Sequence, residues 1–291
     1  MMIDGLYVHS WGPADAPALL YLHGGPGQSS YEFEQHQAGL LGERLRLVTL
    51  DQRGVLRSDP LPPGGTLTLD DLVADCETVR TTLGIDRWAV LGQSFGGMLA
   101  LRYAVQHPAA VTKVAFENPS WDLDRTGRSL LAACFAHPAM AGHPELPARA
   151  ERAGDDTRAL WALIIEVLGV LGEHRDEIYI PDAATRRRIN ELLAAAPFTA
   201  EQWSRGVEHL TQLDRDPELY APHTPLLSRL TQPALLIKGD LDPIPSAGEV
   251  SDFVWLRPGA QLHRFPGVGH FVQAEQPEAY AKLVGDFVSG S

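Results

Sequence analysis

The chain has 291 residues, of which 44% are hydrophobic, and a formal net charge of −13 at pH 7. A chain of this length can bury one large core that carries an insertion, or form two domains that share a core. The negative charge argues against a nucleic-acid partner, which would require a concentrated basic surface.

Short apolar segments alternate with helical patterns over the first 120 residues. The segments "PALLYLHGG", "LRLVTLDQRG", "RWAVLGQS" and "VTKVAFENP" predict strands. Each is apolar nearly throughout, as expected for strands of a parallel sheet that is covered on both faces. The helical spacing in "TLDDLVADCETVRTTLGI" predicts a helix with Thr68 as its N-cap and Gly84 as its C-terminal stop. This alternation predicts an α/β core.

The pattern changes at about Trp121. From there to Arg229 strand signals nearly vanish, and "LWALIIEVLGVLGE", "AATRRRINELLAAA" and "TAEQWSRGVEHLTQL" predict helices. Strand patterns return in "QPALLIKGDLD" and "AQLHRFPGVGH", followed by a closing helix from about Gln276 to Val288. We therefore predict a core made of residues 1–120 and 231–291, interrupted by an all-helical cap of residues 121–230.

Cysteine and histidine usage indicates neither a disulfide framework nor a metal centre. Cys76 and Cys134 are far apart, and neither has metal-ligand spacing around it. No paired His or His/carboxylate helix spacing appears, so we expect no metal and no cofactor. The N-terminal segment lacks a secretion-signal pattern, and no apolar run approaches the roughly 18 residues that span a bilayer. We expect a cytoplasmic protein without a membrane partner.

The segment "LGQSFGG" at residues 91–97 contains a Gly-x-Ser-x-Gly pattern between a predicted strand and a predicted helix. In that context the pattern is typical of a nucleophile elbow, in which a strained turn exposes the hydroxyl of Ser94. Gly92 and Gly96 avoid clashes across the tight turn. The alternative is a glycine-rich turn that only helps the strand and helix to pack.

A serine nucleophile needs a base, and the base needs a carboxylate that orients it. Both are expected downstream, with the acid before the histidine. We predict Asp242 as the acid, because it follows a strand at the end of Gly-x-x-Asp, while Asp240 suits the turn itself. Glu117 in "AFENP" stays open as a rival acid. His270 in "FPGVGHF" is the predicted base, because it lies in a glycine-flanked turn after the last predicted strand.

Acyl transfer also requires backbone N–H groups directed at the developing oxyanion. The segment "HGGPG" at residues 23–27 consists of small residues behind one histidine, so its main chain can approach a substrate closely. We predict that Gly25 and Phe95 supply the two N–H groups of this oxyanion hole. His23 is expected to shape the loop, and Pro26 to stiffen it.

With Ser94, Asp242, His270, "HGGPG" and "DQRG", the sequence resembles the α/β-hydrolase superfamily, and within it the proline iminopeptidase family of serine aminopeptidases. The resemblance covers both core parts, about 180 residues. It implies a mostly parallel eight-stranded sheet with helices on both faces, an inserted helical cap, and a Ser-His-Asp triad that acts through an acyl-enzyme. The "DQRG" segment, residues 51–54, would be a structural corner.

An aminopeptidase must recognise a free N-terminal amine, which requires a carboxylate in the site. The sequence departs from the family at this point: Ile165-Glu166 stands where relatives carry Trp-Glu, and Leu56 stands where glycine follows "DQRG". Glu166 is the first candidate for the amine, because it is the lone charge in an apolar run. A solvated position for Glu166 stays open. Glu117 and Glu208 are further substrate-binding candidates.

The resemblance implies cleavage of an N-terminal residue from small peptides. An esterase, lactonase or amidase that acts on a small-molecule metabolite stays open, because fold and triad do not fix the substrate. A non-catalytic ligand receptor on the same fold is the second alternative.

Overall fold

The computed structural model describes residues 1–290, and a single eight-stranded sheet runs through its centre. The strands are β1 (Met2–Ile3), β2 (Leu6–Trp11), β3 (Ala18–Leu22), β4 (Arg46–Leu50), β5 (Trp88–Gln93), β6 (Val111–Glu117), β7 (Ala234–Gly239) and β8 (Gln261–Phe265). Their order in the sheet is β1-β2-β4-β3-β5-β6-β7-β8. Only the β1/β2 and β2/β4 pairs are antiparallel, so the prediction of a mostly parallel eight-stranded sheet is confirmed.

Twelve α-helices accompany the sheet within the described residues. They are α1 (Tyr31–Gly42), α2 (Leu69–Thr82), α3 (Phe95–Gln106), α4 (Leu123–Ala136), α5 (Glu145–Ala153), α6 (Thr157–Leu171), α7 (Arg175–Tyr179), α8 (Ala183–Ala194), α9 (Ala200–Leu213), α10 (Ala247–Leu256), α11 (Val272–Glu275) and α12 (Pro277–Ser289). None of them combines the length and the hydropathy that a bilayer span requires.

Successive residues of β3 show how the sheet is buried on both faces. Leu20 and Leu22 point into a cluster shared with α2, α3 and α10. Leu19 and Tyr21 point into the opposite cluster, shared with α1 and α12. Burial of such apolar area contributes about 25 cal/mol per Å² removed from water. The prediction of helices on both faces is confirmed, and the site therefore stands on a sheet covered from both sides.

The ends of α2 agree with the sequence prediction. Thr68 is its N-cap: the Thr68 hydroxyl accepts the Asp71 N–H at 3.1 Å, and the Asp71 carboxylate accepts the Thr68 N–H at 2.9 Å. Gly84 lies just beyond the helix with φ +63°, a conformation that glycine adopts without steric cost. This helix can therefore be placed from local rules alone.

Between β6 and β7 every element of the described chain is helical, comprising α4 to α9 and four short 3-10 helices. Helices α4, α5 and α6 share an apolar cluster of their own, which includes Leu130, Leu160 and Ile164. The boundaries of the cap at residues 121 and 230 stay a prediction.

Candidate active site

Ser94 lies at the turn between β5 and α3, with φ 54° and ψ −121°. A positive φ is unusual for a residue with a side chain and is strained. A Cβ added to Gly96 would lie 2.0 Å from the Leu22 carbonyl oxygen, and one on Gly92 would lie 2.1 Å from the Gly96 carbonyl oxygen. The two glycines are therefore steric requirements of this turn.

His270 and Asp242 come from the loops that follow β8 and β7, and their side chains are in direct contact. His270 Nδ1 lies 2.7 Å from Asp242 Oδ2, and Asp242 Oδ1 accepts the Ile244 N–H at 3.1 Å. Because Nδ1 donates to the carboxylate, the neutral imidazole keeps Nε2 as a proton acceptor. Asp240 instead pairs with Arg264, 2.6 Å away.

Asn118, which the sequence analysis did not select, joins the acid loop to the histidine loop. Its Nδ2 donates to the carbonyl oxygens of Gly269 at 3.1 Å and His270 at 3.0 Å, and its Oδ1 accepts the Gly239 N–H at 3.0 Å. A polar residue directly after a buried parallel strand is the signal that could have found it. Asn118 fixes the separation of the two loops that carry Asp242 and His270.

Ser94 and His270 line one cavity of about 980 Å³. Within residues 1–290 no hydrogen bond joins Ser94 Oγ to the His270 ring, whose Nδ1 is held by Asp242. Such bonds are often long in unliganded sites and tighten when substrate binds. The fold thus brings a nucleophile and an oriented base to the same cavity.

Gly25 and Phe95 line this cavity beside Ser94. Among the described residues neither backbone N–H has a hydrogen-bond acceptor, so both remain available to a substrate oxygen. His23 holds the glycine loop from behind. Its Nε2 accepts the Gln52 N–H at 3.0 Å, and its Nδ1 donates to the Gly24 carbonyl oxygen at 3.0 Å.

The "DQRG" corner is tied to α1 by a buried ionic network. Arg57 lies 2.6 Å from Asp51 Oδ2 and 2.7 Å from Glu34 Oε2. The Asp51 carboxylate also accepts the Ser30 N–H at 2.9 Å. Breaking such a pair leaves an uncompensated buried charge. These contacts support a structural role for the corner.

The three acids selected from the sequence for substrate binding lie outside the cavity lining. Glu166 is on the exposed side of α6, where both oxygens pair with Arg149 at 2.6 and 2.7 Å. Glu208 accepts a hydrogen bond from Gln212 at 2.7 Å. Neither acid reaches the cavity lining in this structure, so a substrate-binding role for Glu166 or Glu208 stays a prediction.

Glu117 is fully buried under the sheet end. Its Oε2 accepts the Tyr280 hydroxyl at 2.8 Å and its Oε1 accepts the Gln273 N–H at 3.1 Å. Burial raises the pKa of Glu117 to about 8. The structure supports neither the rival triad role of Glu117 nor a substrate-binding role, since His270 already meets Asp242.

Other charged side chains do reach the cavity, and sequence reasoning missed them. They are Glu32, Arg158, Arg175, Asp176 and Asp214. Large apolar side chains form most of the remaining wall, among them Leu123, Trp161, Ile165, Ile189, Trp203, Leu219 and Phe271. A pocket of this kind suits a substrate with an apolar body and a few polar groups.

Comparison with known proteins gives the fold its name. Residues 17–133 match the family model described as alpha/beta hydrolase fold. The chain is 39% identical to the proline iminopeptidase of Neisseria gonorrhoeae over 109 residues, which are 38% of this chain and 34% of that relative. It is 24% identical to the 2-hydroxy-6-oxononadienedioate/2-hydroxy-6-oxononatrienedioate hydrolase 1 of Dechloromonas aromatica, over 93% of this chain and 86% of that relative.

The crystal structure of the proline iminopeptidase-related protein of Thermus thermophilus superposes with a TM-score of 0.73 at 25% identity, covering 97% of this chain and 93% of that one. The predicted α/β-hydrolase fold is thereby confirmed. The match to curated proline iminopeptidases spans only about a third of their length.

Proposed function

We propose that this chain, which has the α/β-hydrolase fold and is similar to proline iminopeptidases, is a serine hydrolase with Ser94, His270 and Asp242 as its triad. One observation carries the proposal: the strained serine and a histidine oriented by a carboxylate line a single cavity. Two backbone N–H groups without an acceptor, at Gly25 and Phe95, lie at the same cavity. The two buried free thiols, Cys76 and Cys134, favour a reducing compartment such as the cytoplasm.

In the proposed reaction Ser94 Oγ attacks the carbonyl carbon of the substrate while His270 Nε2 accepts the hydroxyl proton. Asp242 holds the Nδ1 proton and stabilises the imidazolium. The carbonyl oxygen becomes negative and accepts hydrogen bonds from the backbone N–H groups of Gly25 and Phe95. His270 then protonates the leaving amine, and the acyl group stays on Ser94. A water gives its proton to His270 and attacks the ester, which releases the acid and restores Ser94.

We propose small peptides with a free N-terminus as the substrates, cleaved after the first residue. The support is the N-terminal similarity to proline iminopeptidases and a cavity that holds carboxylates among apolar walls. A second candidate is hydrolysis of a small-molecule ester or lactone, which the mostly apolar wall favours. The similarity to the Dechloromonas aromatica hydrolase over 93% of this chain supports a small-molecule substrate in general.

A fluorophosphonate probe tests the triad. We expect the probe to label the wild type and not Ser94→Ala, and an unlabelled wild type would contradict the proposal. Turnover of a prolyl arylamide beside a short-chain aryl ester then separates the two substrate classes. Ester turnover without any amide cleavage would exclude the peptidase.

A further inference from the structure

Strand β7 carries a buried lysine, Lys238, just before the loop that contains Asp242. The other residues of this strand are apolar or glycine, all six are buried, and Lys238 itself is 5% exposed. Within residues 1–290 its ammonium forms no ion pair, and its hydrogen-bond partners are backbone oxygens. Burying an ammonium is costly unless hydrogen bonds satisfy it, so its position in the strand requires a physical reason.

The ammonium of Lys238 donates to three carbonyl oxygens of the following loop. They belong to Gly239 at 2.8 Å, Asp242 at 2.6 Å and Ile244 at 3.1 Å. An ammonium has three N–H donors and no acceptor, so these three oxygens use its whole capacity. A neutral amine would have only two N–H groups. The loop is therefore folded around one positive charge.

The three oxygens lie before, at and after the acid that orients His270. The carbonyl oxygens of Asp242 and Ile244 accept no other hydrogen bond in the described chain. In the same loop the Asp242 N–H donates to the Gly239 carbonyl oxygen at 3.1 Å, and Asp242 Oδ1 accepts the Ile244 N–H at 3.1 Å. Removing the ammonium would leave buried carbonyl oxygens without donors and release the main chain on both sides of Asp242.

Two other side chains hold this loop, each at a single residue. Asn118 Oδ1 accepts the Gly239 N–H at 3.0 Å, and Ser129 Oγ donates to the Pro243 carbonyl oxygen at 2.7 Å. Lys238 differs from both because one atom, Nζ, contacts the loop at its start, at Asp242 and near its end. The backbone conformation that directs the Asp242 carboxylate toward His270 therefore depends on this lysine.

We infer that Lys238 is a positioning residue of the hydrolase: it sets the orientation of Asp242 and, through Asp242, the orientation of His270. The inference rests on the proposed triad. Lys238 does not line the cavity, so its effect is on turnover and not on substrate binding. A misplacement of about 1 Å at a reacting group costs on the order of a hundredfold in rate, which sets the size of the expected effect.

The first test compares Lys238→Met with Lys113→Met. Lys113 is a matched control, because it also donates to backbone oxygens, those of Phe287 at 2.8 Å and Val288 at 3.2 Å, but at the end of α12 and outside the cavity lining. With an aryl ester we expect Lys238→Met to lower kcat ten- to hundredfold and to leave KM nearly unchanged. Lys113→Met should keep the wild-type kcat.

A double-mutant cycle separates positioning from a general loss of structure. Lys238→Met is combined with Asp242→Asn, in which the orienting carboxylate is already absent. If Lys238 acts through Asp242, the second change should lower kcat no further, because residues that act as a unit are not additive. The same fold loss in both backgrounds would show that Lys238 acts independently of Asp242 and would overturn the inference.

Lys238→Gln is measured beside Lys238→Met, so that the comparison remains possible if one of the two variants does not fold. A thermal unfolding curve identifies the folded variant, which should show the lowered kcat and the absence of additivity with Asp242→Asn. Wild-type kcat in a folded variant would overturn the role of Lys238 and leave the serine hydrolase intact. Failure of the wild type to label with a fluorophosphonate would overturn both.

Discussion

The residues proposed as the triad could be selected from the sequence because each follows a local rule. The glycines around Ser94 are forced, since a Cβ at either position would overlap a backbone carbonyl oxygen, so the pattern itself carries the geometry. Leu56 stands where the resembled family has glycine, and its φ of 39° is in the region that glycine favours. The backbone conformation thus explains why glycine is expected at this position. Such single-residue constraints are visible without any tertiary information.

The position of Glu32 on the cavity wall could not be predicted, because nothing local separates Glu32 from Glu34. Both are in the first turn of α1 and both are buried, yet one meets an arginine and the other faces the cavity. The difference depends on Arg57, which reaches α1 from a distant loop. The partner of Glu166 was hidden for a related reason, since Arg149, which pairs with it, belongs to the neighbouring helix.

Asp242→Asn should leave the fold intact and lower kcat about 10,000-fold, because the amide can no longer hold His270 in the tautomer that accepts a proton at Nε2. Ester turnover and a thermal unfolding curve measure the two effects. Asp240→Asn, at a surface ion pair two residues away, is the control and should retain wild-type kcat. Retention of a tenth of the activity in Asp242→Asn would exclude Asp242 as the orienting acid.

Among the elements of the helical segment, α9 is attached to the core through several polar contacts. Arg205 donates to the carbonyl oxygens of Leu56 at 3.1 Å and Ser58 at 2.9 Å, and His209 Nδ1 donates to the Arg53 carbonyl oxygen at 2.7 Å. A Cβ on Gly206 would lie 2.2 Å from the Gly27 carbonyl oxygen. Helix α9 therefore packs its backbone against the glycine loop of residues 23–27.

Gly206→Ala should push α9 and the Gly27 loop apart and so displace the Gly25 N–H. A misplacement of about 1 Å at a reacting group costs on the order of a hundredfold, so we expect kcat to fall ten- to hundredfold in an ester assay. Overpacking should also lower the free energy of unfolding by about 1–3 kcal/mol.

Gly169→Ala is the matched control for Gly206→Ala. Gly169 is in α6, where an added Cβ meets no atom within 4 Å. That variant should keep wild-type activity and gain about 0.5–1 kcal/mol in the free energy of unfolding, as alanine does in a helix. Equal activity in the two variants would show that the contact between α9 and the loop does not position the oxyanion hole.

Strand prediction succeeded for β3 to β8, including the exposed edge strand β8, and missed the two strands of the antiparallel edge. Strand β1 is two residues long, and β2 mixes polar with apolar residues because only one of its faces is covered. Both lie beyond the parallel part of the sheet, so neither produces the continuous apolar run that identified β3 to β7. The sequence analysis included these two strands only because the resembled family has an eight-stranded sheet.

At the scale of the whole molecule, buried acids make stability depend on pH. Burial raises the pKa of Glu117 to about 8 and the pKa values of Glu249 and Glu275 to about 7. Near neutral pH the folded protein keeps protons that the unfolded chain has already released. These bound protons stabilise the folded state, and that stability is lost as pH rises toward the folded pKa. Burial lowers the pKa of His209 to about 4. The neutral His209 therefore stabilises the fold above about pH 6.5, and that stability is lost as the pH falls below this value.

Urea denaturation should therefore show the free energy of unfolding falling by about 1 kcal/mol between pH 7 and 8. Glu117→Gln, which cannot titrate but can keep contacts with Tyr280 and Gln273, should abolish most of that slope. Glu166→Gln, at an exposed ion pair, should retain it. A slope in Glu117→Gln equal to that of the wild type would assign the pH dependence to other groups.

The contact between Gly27 and Gly206 also limits which helices of this chain can be exchanged for those of a related protein. A chimera that takes α4 to α8 from a homologous enzyme would exchange one wall of the cavity and leave the contact between Gly27 and Gly206 unchanged. A chimera that takes α9 as well would need a residue without a side chain at the crossing. Helix α7 sets a similar limit, because a Cβ on Gly269 would lie 2.2 Å from the Tyr179 carbonyl oxygen, so a transplanted insertion must fit the core at two glycine crossings.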